Sequence, residues 1–388
     1  MKDRPVITAV AITEFTIPLP DMGKDLTGFN LAYSPGETVA TRRFALQIHT
    51  DAGITGEFFH GTGESFSQIA LVAPYLPGKD PLQREPIYND LKRALRKSDR
   101  TALGPIDIAL WDIAGQFYDA PIYELLGGVN RPLPCYASTY HGDRNGGLDS
   151  PAAYADFAVQ CRDRGYPAFK IHGWGDPVIE QEIATVAAVR AAVGDKMDLM
   201  IDPACEYNTF ADTVQVGRAL DDANYFWYED PLKDGGVSAH AHRKLRELIS
   251  TPLLQGEHVR GLEQHVDLIL AEATDFVRVD AYLDGGLTGA MKIAHAAEGL
   301  GLDVEIHGPG PAHRHLMTAI RNTNYYELGL VHPKAPAHYG YAYQDYTEDL
   351  DAIDQNGCVF APTGPGLGIR LDWDYIRTRD PVTPTFED

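Results

Sequence analysis

The sequence predicts an α/β protein: a (β/α)₈ barrel of the TIM type with an N-terminal α+β capping domain. Three observations predict it. Six short apolar runs each end in one polar side chain, at Asp202, Glu229, Glu257, Asp280, His307 and Glu327. These ends are 27, 28, 23, 27 and 20 residues apart, the length of one strand, one helix and two loops. The chain, at 388 residues, is also long enough for one barrel and a further domain. Runs such as Leu199-Met200-Ile201-Asp202 and Phe226-Trp227-Tyr228-Glu229 have the length and the β-branched or aromatic character of buried parallel strands. In such a barrel all strand C-termini open on one face, so the six side chains converge.

In chain order, residues 7–18 alternate loosely and read as a strand. Residues 21–38 are rich in Gly, Asp and Pro and contain Phe29 and Tyr33. They read as a mobile loop, expected to close over the pocket and to touch substrate through Tyr33. Residues 41–49 and 55–60 read as two more strands, joined by a turn at Asp51-Ala52-Gly53. Helical patterns follow at 66–73, 85–95 and 103–118, the last apolar on most sides. A short helix stops at Gly127-Gly128. Residues 1–130 therefore read as an α+β cap. Residues 131–359 read as the barrel: runs at 135–139 and 168–172 precede the six above and bring the strands to eight. Helices at 151–164 and 177–193 have Pro near the start and Gly at the stop. The Pro- and Gly-rich tail, about 360–388, is expected to return to the cap.

A net charge of −22 argues against a nucleic-acid partner, whose phosphates need a basic surface. An anionic substrate would need local positive charge from a metal or from pocket cations. The four cysteines form no CxxC pattern and read as reduced thiols of a cytoplasmic protein. Residues 1–20 lack the apolar core of a signal peptide, and no apolar run is long enough to span a membrane.

Asp202, Glu229 and Glu257, on consecutive strand ends, are expected to crowd like charges together. A hard divalent cation relieves that best, and all-oxygen ligation suits Mg²⁺. Helix caps or ion pairs are the structural alternative. Asp280 and His307, on neighbouring strand ends, read as a hydrogen-bonded acid/base pair. In Phe169-Lys170-Ile171-His172 alternation puts Lys170 and His172 on one face, and a lysine with a depressed pKa there would serve as a base. Glu327 reads as a carboxyl that donates to substrate if protonated. Tyr140, His141, His313 and Arg314, just past strand ends, are weaker candidates for substrate contact, along with Tyr33.

The residues Ile106-Asp107-Ile108-Ala109-Leu110-Trp111-Asp112, Pro121 to Gly128, Glu229-Asp230-Pro231, Asp280 to Gly286 and Pro365-Gly366-Leu367-Gly368 together resemble the enolase superfamily, mandelate racemase subgroup. The resemblance covers nearly the whole chain. It implies Asp202, Glu229 and Glu257 as Mg²⁺ ligands, Asp280–His307 as a dyad, Glu327 as a hydrogen-bonding acid and Lys170 as the first lysine of a Lys-x-Lys motif. It also implies a homo-oligomer. Two positions depart from the pattern: His172 stands where the second lysine is usual, and Ala204 where Asn is common. The implied chemistry is abstraction of a proton α to a carboxylate, with an enediolate held by Mg²⁺. The expected reaction is dehydration of an acid sugar to a 2-keto-3-deoxy acid, with Lys170 or His172 as base and His307 as acid. A racemase or epimerase is the alternative. A cycloisomerase fits less well, because that branch uses a lysine where this chain has Asp280. A non-catalytic binding barrel would not need the dyad.

Overall fold

The computed structural model describes residues 3–335 and 342–387. An N-terminal antiparallel sheet is built from β1 (Ile7–Lys24), β2 (Leu31–Thr50) and β3 (Thr55–Phe59). Helices α1 (Gly63–Val72), α2 (Arg84–Ala94), α3 (Leu103–Tyr118) and α4 (Ile122–Leu125) follow.

The sheet corrects one expectation. Residues 21–38 are not a loop: β1 and β2 stay paired from Ile7↔Thr50 to Lys24↔Leu31, with a bulge between Pro20 and Met22. β3 pairs only as far as Ala45↔Phe59, so the distal hairpin is a two-stranded ribbon. Proline is tolerated on such outer edges because no ladder bond is lost, which is why Pro18, Pro20 and Pro35 do not end the strands. Only residues 25–30 turn. There Asp25 Oδ1 accepts from Thr27 Oγ1 (2.7 Å) and Gly28 N (2.9 Å), and Oδ2 accepts from Asn30 Nδ2 (2.9 Å).

The second part alternates strand and helix. Its strands are β4 (Leu133–Thr139), β5 (Ala168–His172), β6 (Asp198–Asp202), β7 (Trp227–Glu229), β8 (Leu253–Gln255), β9 (Phe276–Val279), β10 (Asp303–Ile306) and β11 (Tyr326–Val331). Its helices are α5 (Pro151–Arg164), α6 (Ile179–Val193), α7 (Phe210–Asp222), α8 (Ala239–Arg246), α9 (Gly261–Leu270), α10 (Gly286–Gly299) and α11 (Pro311–Ala319). All eight strands are parallel, in the order β10-β9-β8-β7-β6-β5-β4-β11. Side chains span the seam between β10 and β11: Glu305 accepts from Asn324 Nδ2 (2.6 Å) and Tyr325 N (3.2 Å), and Glu327 Oε2 accepts from Gly308 N (2.7 Å). Tyr136, Ala168, Met200, Trp227 and Leu254 fill the barrel as an apolar floor.

The tail adds β12 (Tyr343–Gln344), β13 (Cys358–Val359), β14 (Arg370–Leu371), α12 (Trp373–Arg377) and β15 (Thr385–Glu387). β13 pairs with β4, and β15 pairs with β1 at the far edge of the N-terminal sheet. Two buried acids of α3 lock the parts together. Asp107 accepts from Thr288 N (2.9 Å) and Oγ1 (2.6 Å) on α10. Gly286, at φ 76°, has room for no Cβ beside Asp107. Asp112 accepts from Glu57 N (2.9 Å), Leu367 N (2.8 Å) and Gln116 Nε2 (2.9 Å), joining sheet, helix and tail. Asp112→Ala leaves two backbone N–H groups without acceptors and is expected to cost about 2–4 kcal/mol. The denaturant midpoint should fall with an unchanged m-value; a change under about 0.5 kcal/mol would show that water replaces the carboxylate.

All four cysteines are unpaired. Among the described residues no helix is long and apolar enough to cross a membrane.

Candidate active site

The strand ends open into a cavity of about 290 Å³, lined among others by Asn30, His141, His172, Asp202, Glu257, His307 and Glu327. That is the low end for ligand cavities and suits a small polar molecule. An open groove along Arg96, Arg100 and Arg260 is larger, about 790 Å³, but it is lined by helix and loop residues.

The structure brings Asp202, Glu229 and Glu257 together, with one carboxylate oxygen of each within 4.8 Å of the others. Their donors are all hard oxygens, and carboxylates crowd here beyond what nearby cations neutralise; the set fits a divalent cation. Lys170 Nζ lies 2.9 Å from Glu229 Oε2, 2.9 Å from Glu327 Oε1 and 3.4 Å from Asp202 Oδ2. Burial disfavours its charge, but Glu229 and Glu327 outweigh burial and hold it well above the ordinary lysine range. The depressed lysine pKa expected from sequence is therefore not found in this arrangement.

His172 ends β5 with Nδ1 2.7 Å from Thr139 O and Nε2 3.1 Å from Asp202 Oδ2. It lines the cavity, whereas Lys170 sits beneath, enclosed by carboxylates. Burial opposes ionisation of Asp202, yet Lys170 and His172 keep its carboxyl below the usual range.

Across the cavity, His307 Nδ1 lies 2.8 Å from Asp280 Oδ2, and Nε2 lies 3.3 Å from Glu257 Oε1. Burial works against the imidazolium, but Glu257 and Asp280 lift its pKa to about 9. Asp280 is shared: Oδ1 lies 3.2 Å from His313 Nε2 and accepts from Tyr282 N (2.6 Å). Despite burial, these histidines hold Asp280 below the usual carboxylate range.

Glu327 departs from expectation in two ways. It is the second residue of β11, not its end, because the strand runs on to Val331. It is also ionised: burial opposes this, but Arg278 and Lys170 hold it well below the usual range, so it accepts and does not donate. Arg278, on β9, was not singled out from sequence. It is fully buried, with Nε 2.7 Å from Glu229 Oε1 and the terminal nitrogen 2.5 Å from Glu327 Oε2 and 3.0 Å from Tyr136 OH. The available signal was an arginine two residues before Asp280 in a buried strand, hence on the same face.

The weaker candidates divide. His141 lines the cavity, its Nδ1 3.2 Å from Gly173 O; burial and nearby His172 push its pKa down to about 4. His313 is not at the cavity wall: it is buried, turned onto Asp280 and stacked on Tyr282 at 4.2 Å. Tyr140 is fully buried in a separate apolar cluster. Arg314 pairs with Glu348 at 2.8 Å. Tyr33 stacks on His332 at 4.9 Å, and Phe29 is 81% exposed at the hairpin tip. The hairpin reaches the cavity through Asn30, whose Nδ2 also lies 3.3 Å from Glu206 Oε1.

Residues 30–127 match the mandelate racemase / muconate lactonizing enzyme N-terminal domain, and residues 153–375 match the enolase C-terminal domain-like family. The chain belongs to the mandelate racemase / muconate lactonizing enzyme family of the enolase superfamily. Members of this superfamily bind a divalent metal. The chain is 31% identical over 326 residues to D-gluconate dehydratase of Thermoproteus tenax, covering 79% of this chain and 62% of that protein's length. It is 32% identical over 360 residues to D-galactarolactone cycloisomerase of Agrobacterium fabrum, covering 87% and 91%. The crystal structure of D-glucarate dehydratase from Agrobacterium tumefaciens complexed with magnesium aligns at a TM-score of 0.85 and 29% identity, over 97% of this chain and 99% of that one. Other relatives in the superfamily are named as acid-sugar dehydratases and as a racemase.

Proposed function

We propose that this superfamily member is a Mg²⁺-dependent hydro-lyase that dehydrates an acid sugar to a 2-keto-3-deoxy acid. The observation that carries this reading is one small cavity walled by His172, Asp202, Glu257 and His307, with Glu229 buried within 4.8 Å of the two carboxylates and Asp280 bonded to His307. A cation held by the triad would supply Lewis-acid polarisation of the substrate carboxylate. His172 takes the C2 proton at Nε2, because Nδ1 donates to Thr139 O and Lys170 is held charged by its carboxylates; in that role Nε2 gives up its contact with Asp202 Oδ2, an oxygen that a bound cation would engage instead. His307, charged at neutral pH and oriented through Nδ1 by Asp280, gives a proton from Nε2 to the departing 3-hydroxyl. The C2–H and C3–O bonds break, water leaves, and the enol tautomerises to the keto acid. Lys170 and Arg278 supply fixed positive charge beneath. A racemase remains the second reading, because His172 and His307 both line the same cavity.

Metal removal tests the proposal. With an acid sugar found by screening, EDTA should abolish 2-keto acid formation and Mg²⁺ should restore it. Full turnover in metal-free protein would remove the triad from the chemistry. The pH profile adds a second check. The His307 pKa is raised, so its protonated form is complete below the ordinary histidine value, near 6.5, and is lost as pH rises through about 9. Turnover should fall on that alkaline limb. Asp280→Asn should move the limb to lower pH, and an unmoved limb would assign it to another group.

A further inference from the structure

Beside the triad lie two donors that the proposed reaction does not use, Asp230 and His258. Asp230 follows Glu229 at the end of β7. Its carboxyl is 0% exposed, and among the described residues neither oxygen accepts a hydrogen bond. The buried cations of the site pair elsewhere: Lys170 with Asp202, Glu229 and Glu327, and Arg278 with Glu229 and Glu327. Asp230 has one ion-pair neighbour among the described residues, His258, with Nε2 3.5 Å from Oδ2, too distant for a good hydrogen bond. Asp230, Glu257 and His258 each bring a donor atom within 4.8 Å of the others. The backbone of Gly236, at φ 71°, covers the pair; a Cβ there would lie 2.6 Å from His258 Cδ2 and 2.8 Å from Asp230 Oδ1. Room at these donors is thus kept by a residue with no side chain.

A buried carboxyl with no donor is costly, and a cation answers the deficit. One imidazole with two carboxylates is a mixed nitrogen–oxygen set, better suited to Mn²⁺, Fe²⁺ or Zn²⁺ than to Mg²⁺. We propose that Asp230, Glu257 and His258 bind a second divalent cation of this transition-metal class, bridged through Glu257 to the cation of the triad. The bridging rests on the metal reading made above; the Asp230–His258 pair does not.

Chelator-stripped protein titrated with Mn²⁺, with free ion counted by electron paramagnetic resonance, tests both sites separately. Wild type should bind two ions per chain and give an exchange-coupled signal. Asp230→Asn, His258→Gln and Asp202→Asn should each bind one ion and lose the coupling. A single wild-type ion that survives Asp230→Asn and is lost in Asp202→Asn overturns the second site and leaves the triad standing. A single ion with the opposite dependence overturns the triad as the metal site and retains the Asp230 site. No bound ion overturns both. Should Asp230→Asn fail to fold, His258→Gln decides, because that side chain is 34% exposed.

Discussion

Glu229→Gln is expected to lower kcat by about 10³-fold, the scale for removing one fixed electrostatic partner at a reacting centre. Glu229 stands at the end of β7 with Oε2 2.9 Å from Lys170 and Oε1 2.7 Å from Arg278. Glutamine keeps the shape and one acceptor but removes the charge. It thereby weakens the proposed three-carboxylate cation site and leaves two buried cations with fewer anions. Lys170 keeps Glu327 and Asp202, and Arg278 keeps Glu327, so the stability loss should stay at or below about 3 kcal/mol, short of breaking a buried pair outright. Circular dichroism should be unchanged at 25 °C while Mn²⁺ affinity and turnover collapse. Wild-type kcat with retained EDTA sensitivity would exclude Glu229 as a ligand.

His307→Asn is expected to stop elimination, with a loss of about 10²–10⁴-fold, the usual contribution of a positioned acid. Asparagine retains a hydrogen bond towards Asp280 but has no proton to give. If His172 removes the C2 proton and exchanges it with solvent, the variant should still exchange C2 hydrogen in D₂O while forming no keto acid. His172→Asn should do the reverse at the first step and lose exchange as well. In a racemase the two histidines serve opposite enantiomers, so His307→Asn would exchange one enantiomer only. Elimination at a near wild-type rate in His307→Asn would make His172 the next candidate for the acid.

The strand-end residues were legible because a barrel converts a linear repeat into a ring. A polar residue that ends an apolar run every 20–28 residues has one destination, the common mouth. Alternation likewise put Lys170 and His172 on one face of β5. Less legible were properties set by neighbours distant in sequence. The charge of Lys170 depends on Glu229 and Glu327, which lie on β7 and β11, and the ionisation of Glu327 on Arg278 from β9. Tyr140 and His313 followed strand ends in sequence but turn into the packing, one into an apolar cluster and the other onto Asp280. The hairpin at residues 21–38 misled for a local reason. Its Gly and Pro content is a loop signature in a central strand and is harmless at the outer edges of a two-stranded ribbon.

The most direct measurement is a ¹H NMR time course of wild-type protein with Mg²⁺ in D₂O, run against a panel of acid sugars. Dehydration predicts, for at least one acid sugar, loss of the C2 proton signal together with the methylene signals of a 2-keto-3-deoxy acid, both abolished by EDTA. Exchange or inversion at C2 with no keto acid formed from any member would contradict the dehydratase reading and favour the racemase.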